Sequence, residues 1–83
     1  MPTTEEIIMN NVKIMAKENV IKIIKEGKYR YENDALALVV FLEAKAREFM
    51  NRANALADVM VKRLNLLIAR ELVRVRERLQ NEA

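Results

Sequence analysis

The chain has 83 residues, 52% of them hydrophobic and 33% charged, with one Gly, one Pro, no Cys and no His, and a net charge of +3. A chain of this size buries only roughly 60% of the surface it exposes unfolded, so it makes one small helical domain over 1–83 with a marginal core. The composition excludes a disordered chain, disulfides, thiolate or imidazole zinc sites and a glycine-rich phosphate loop.

No Ser occurs, and the only Thr residues are Thr3 and Thr4. Nucleophilic triads and an imidazole base are therefore ruled out. Glu43 and Glu48 lie within helical reach of Arg47 and Arg52, a pattern of surface ion pairs rather than acid and base. The expectation is a non-enzyme with no cofactor, no metal and no small-molecule substrate. A helical enzyme working with Arg, Lys and Glu alone is the weaker alternative. The longest apolar run, Ala35 to Leu42, falls far short of the ~20 residues that span a bilayer. No basic, apolar leader opens the chain, so a soluble, cytoplasmic protein with no membrane partner is expected.

Thr3-Thr4-Glu5-Glu6 reads as a capping box opening a first helix, with both glutamates at the positive end of its dipole. This helix is expected over about 3–26, closed by Gly27 in the left-handed conformation and by Lys25 and Lys28. Ile8, Val12, Met15, Ala16, Val20, Ile23 and Ile24 form one broad apolar face. Ile7, Ile14 and Ile21, spaced by seven, lie off it. Either this second stripe meets another helix or chain, or the two stripes make one wide buried face.

Residues 27–33 form the expected loop, where Lys28-Tyr29-Arg30-Tyr31-Glu32 alternates basic and aromatic side chains. That composition suits a phosphate backbone beside a stacking surface, and equally suits tyrosines closing the core with solvated cations. Asn33 is the expected cap of the next helix, with Asp34 in its first turn.

From Ala35 to Leu79 there is no Gly or Pro, and apolar residues keep helical spacing throughout. Ala35, Val39, Leu42, Ala46, Phe49, Ala53, Leu56 and Met60 step by four and three, a heptad seam whose alanines admit a close partner. From Ala57 the line becomes Ala57, Val61, Leu64, Ile68, Leu72, Val75 and Leu79, an eleven-residue repeat. The change has two physical causes to choose between. A continuous helix over 34–81 would relax its supercoil past residue 60. Alternatively, a helix over 34–61 would end near 62–65, with Asn65 capping a last helix. Glu43 with Arg47, Glu48 with Arg52 and Asp58 with Lys62 support helix up to that point, whereas Arg70, Arg74 and Arg78 set like charges four apart.

A continuous stretch would run about 65 to 75 Å at 1.5 Å per residue, and half of it would lack an intrachain partner. Self-association is expected, as an intertwined homodimer or a higher helical bundle. Its interface residues would be Val39, Leu42, Ala46, Phe49, Ala53, Leu56 and Met60, with Ile7, Ile14 and Ile21 extending the assembly.

Ile23-Ile24-Lys25-Glu26, Arg30 before Asn33-Asp34-Ala35, Leu42-Glu43, Arg47, Phe49, Ala53, Leu56-Ala57 and Lys62-Arg63 follow one another in an order known from one family. Residues 23–63 resemble an archaeal histone. The resemblance covers about half the chain and takes two single-residue shifts. Val61 and Leu64 stand near the family's second-loop glycine and threonine, its last-helix aspartate has no counterpart in the register, and the first helix is longer. The resemblance implies a histone fold in which two chains clasp through antiparallel long helices, the first loop of one beside the second loop of the other. It further implies that Arg30 enters a DNA minor groove while Lys28, Lys62, Arg63 and helix N-termini hold phosphates. Binding of duplex DNA would then be independent of sequence and steeply dependent on salt. The competing expectation is an oligomerisation or scaffold module, natural or designed, whose arginines are simply solvated.

Overall fold

The computed structural model describes residues 2–82. Three helices account for nearly all of them: α1 over Thr4–Arg30, α2 over Ala35–Ala55 and α3 over Val59–Glu82. No strand occurs among the described residues. The chain is an all-α bundle.

α1 starts where its sequence signal lies. Thr3 is extended and its hydroxyl accepts the Glu6 amide at 3.2 Å, with Glu5 and Glu6 in the first turn. Its other end differs from expectation. The helix continues through Gly27 to Arg30, and no described residue has a positive φ. Gly27 is instead a contact glycine. It is buried, and a Cβ there would stand 2.8 Å from Leu38 Cδ1 and 2.8 Å from Phe41 Cδ1. Here the Leu38 and Phe41 side chains of α2 lie against the backbone of α1, in space that a side chain at position 27 would fill. The helix closes one turn later, where the Tyr31 amide donates to the Gly27 carbonyl at 2.9 Å.

The loop shrinks accordingly. Asp34, not Asn33, caps α2, its Oδ1 accepting the Ala37 amide at 3.0 Å. The larger correction concerns the long stretch, which is neither continuous nor broken at 62–65. α2 ends at Ala55, Leu56 is extended at φ −91° and ψ 137°, and α3 begins at Val59. Asp58 makes the turn possible. Its Oδ1 accepts the Met60 amide at 2.9 Å and the Val61 amide at 3.0 Å, and its carbonyl accepts the Lys62 amide at 2.9 Å. One carboxylate thereby satisfies two amides that a helix start leaves without partners, and its charge faces the positive end of the dipole. An aspartate four residues before a lysine serves a helix interior or a helix start equally well on paper, but here it caps. Asn65, the expected cap, lies inside α3, buried, and donates Nδ2 to the Val61 carbonyl at 2.8 Å. The change of period near residue 60 marks two helices.

The reversal folds α3 back along α2 and against α1, while α1 and α2 touch less extensively. Ala16, Val20 and Ile23 of α1, Leu38, Leu42 and Ala46 of α2, and Ile68 and Leu72 of α3 form the core, with Leu42, Ile68 and Leu72 fully enclosed. Ala53 and Ala69 are buried without exposed surface. Tyr31 lies over one end of the core, its ring 5.6 Å from that of Phe41. Glu43 accepts from Arg76 Nη1 across the α2–α3 seam, a partly buried pair that holds the register of the two helices.

Two sites test these assignments by denaturant or thermal unfolding. Gly27→Val should lower stability by about 1–3 kcal/mol through overpacking. Gly27→Ala should cost less, because its helix propensity offsets about 1 kcal/mol; a gain from Gly27→Val would contradict the close approach. Asp58→Ala should cost about 1 kcal/mol and speed exchange of the Met60 and Val61 amides, as removal of a cap does. Unchanged exchange at those amides would place the helix start elsewhere.

Candidate interaction surfaces

The seam residues expected between chains are used within one chain. Val39, Leu42, Ala46 and Ala53 are buried, and Phe49, Leu56 and Met60 are half-buried. The reason is the turn at Leu56–Asp58, which supplies α3 as the partner that a straight helix would have lacked.

The isoleucine stripe remains open. Ile7, Ile14 and Ile21 are 48%, 55% and 47% exposed. They occupy the side of α1 opposite Val12, Ala16, Val20, Ile23 and Gly27, which face the bundle. The broad face expected to include Ile8 and Met15 is narrower than the pattern implies, for both of these are exposed too. Two neighbouring helices cover α1 along one line only, so apolar residues a quarter-turn away stay in solvent. Between α1 and α3 lies an open groove of about 500 Å³, bordered by Ile21 of the stripe together with Ala16, Val20, Leu67, Lys13, Lys17 and Glu71.

The four basic residues expected at a DNA site fall at two ends of the bundle. Lys28 and Arg30 are exposed in the last turn of α1, where Arg30 lies 3.2 Å from Glu26. Lys62 and Arg63 are exposed in the first turns of α3, and Arg63 reaches across to donate to Met9 Sδ at 3.2 Å. Met9 and Arg30 are roughly 30 Å apart along α1 at 1.5 Å per residue. A single chain does not bring the two pairs together. The aromatic part of the 28–32 stretch also divides: Tyr29 is 88% exposed, while Tyr31 packs on Phe41.

A second basic surface shows in the sequence only as opposed charges. Arg70, Arg74 and Arg78 are exposed on α3, and Arg74 is offset by Glu71 at 3.0 Å. Other pairings are partly as expected. Glu48 binds Arg52 at 2.6 Å and Lys45 at 3.4 Å, but Glu43 turns to Arg76 instead of Arg47. Arg52 and Lys45 also lie over the Phe49 and Phe41 rings, at 5.0 and 5.8 Å from their centroids. Such arrangements hold half-buried aromatic rings under long cationic side chains.

Among the described residues no group of three or more acidic side chains is placed to hold a metal ion. No helix among them is long and apolar enough to cross a membrane. Comparison with models of known protein families, with curated proteins and with solved structures finds no match to this chain.

Proposed function

We propose that this chain is a non-catalytic helical module that works by self-association through the outer face of α1. The observation that carries the reading is the concentration of large apolar side chains there. Ile7, Ile8, Ile14, Met15 and Ile21 are all exposed on one helix. Isolated exposed apolar residues are ordinary, but a row of them along one element is the usual mark of an interface. The side-chain inventory supports the non-catalytic part, since no Ser, Cys or His is present to serve as nucleophile or base.

A second reading, binding of duplex DNA, has its own support in the exposed cations. Lys28, Arg30, Lys62, Arg63, Arg70, Arg74 and Arg78 all present charge to solvent on a chain of net charge +3. They would neutralise phosphates and release counterions, without reading bases. The histone resemblance gives Arg30 the minor groove and Lys62 and Arg63 the backbone.

Sedimentation separates the first reading from its failure. The parent chain should sediment as a dimer or larger species at micromolar concentration, and Ile14→Lys as a monomer of unchanged helix content. A folded monomeric parent would refute self-association. For the second reading, titration of duplex DNA at low and moderate salt should give binding with a strongly negative salt slope. Arg30→Ala combined with Arg63→Ala should weaken the binding and flatten the slope, by about one unit for each phosphate no longer neutralised. No binding at low salt would dismiss a DNA role.

A further inference from the structure

We infer that α1 pairs antiparallel with α1 of a second copy, about a two-fold axis at Ile14. This rests on the self-association reading above and specifies the orientation and register of the pairing. Residues seven apart on an α-helix drift by only ~20°, so Ile7, Ile14 and Ile21 form a nearly straight row. Ile7 and Ile14 point away from the bundle, and Ile21, also half exposed, borders the groove between α1 and α3. Successive isoleucines stand about 10.5 Å apart along the axis. Three equally spaced side chains are self-complementary under a two-fold through the middle one. Ile14 then meets its own copy, and Ile7 meets Ile21 of the second chain at both ends.

A parallel pairing would match the row equally well, so charge decides the direction. The first turn of α1 carries Glu5 and Glu6. The last turns carry Lys22, Lys25 and Lys28, while Glu26, the acidic residue among them, is paired with Arg30. Parallel helices would set Lys25, one turn past Ile21 on the same line, beside Lys25 of the second copy, with their dipoles aligned. The antiparallel arrangement instead places Lys25 beyond the end of the second row, within reach of Glu6 of the second copy at the row's edge, and opposes the dipoles favourably. Glu5 lies on the bundle side of α1 and takes no part. In the middle, Glu18 falls level with Asn10 of the second copy and Lys17 with Asn11, so no like charges confront each other. The pairing is isologous and closes on itself, which limits it to a dimer.

The absence of cysteine makes the arrangement directly testable. Single variants Ile7→Cys, Ile14→Cys and Ile21→Cys are prepared in the full chain, checked for parent helix content, and oxidised mildly. Ile14→Cys should give a disulfide-linked dimer in high yield. Ile7→Cys alone and Ile21→Cys alone should stay unlinked, because their sulfurs would sit roughly 20 Å apart along the helix and a disulfide needs Cα atoms within about 7 Å. A mixture of Ile7→Cys and Ile21→Cys should give the crossed dimer. Self-linking of all three variants would overturn the antiparallel direction. A parent that sediments as a dimer but whose Ile14→Cys variant does not link would overturn the α1 pairing while leaving self-association standing; a monomeric parent would remove both.

Discussion

Everything in this fold depends on the chain reversing at Leu56–Asp58. A helix continued from Ala35 to Leu79 would carry its apolar line far beyond anything α1 could cover. The extended backbone at Leu56 and the Asp58 carboxylate on two α3 amides turn the chain instead. With the turn in place, Ile68 and Leu72 come against Leu42, and the three become fully enclosed. The same reversal brings Arg76 to Glu43, which fixes how α3 slides along α2. Gly27 completes the arrangement on the other side, letting Leu38 and Phe41 of α2 reach the α1 backbone.

Much of this fold is legible in the residues, and the departures share a cause. The Thr3 cap, the helical class and the isoleucine stripe on α1 are local or periodic, and both kinds of signal survive in a single sequence. Gly27, Asp58 and Glu43 escape such a reading because each has two ordinary uses separated only by tertiary context. A glycine near a helix end serves a left-handed cap or a close approach, and the approach of α2 selects the second. An aspartate four before a lysine serves an ion pair or a cap. Glu43 has one arginine four residues on and another on a facing helix, and burial favours the partner across the seam. Ile8 and Met15 belong to the expected core face but not the observed one, because periodicity gives an angle on a helix and not the width that neighbours cover. The heptad seam of α2 is a packing line as its spacing implies, but its partner is α3 of the same chain.

Because the bundle closes within one chain, each helix keeps apolar side chains at the surface, among them Leu36 and Val40 on α2 and Val59 and Val61 on α3. The outer face of α1 carries isoleucines between an acidic start and a lysine-rich end. The outer side of α3 carries arginines. The isoleucine row and the arginines nonetheless lie on different helices, so a second copy held on α1, as proposed, would leave the α3 arginines accessible. That separation makes the two proposed readings, self-association and phosphate binding, compatible on one small chain, and lets substitutions test each without touching the other.

The reversal itself is tested most directly by a distance within one chain. Spin labels at the exposed positions Ala44 and Glu77, in labelled protein diluted with unlabelled chain, report whether α3 lies along α2. The bundle predicts a separation of about 10–20 Å, set by neighbouring helix axes and the reach of the labels. A separation near ~50 Å, the length of a continuous helix between those positions at 1.5 Å per residue, would contradict it.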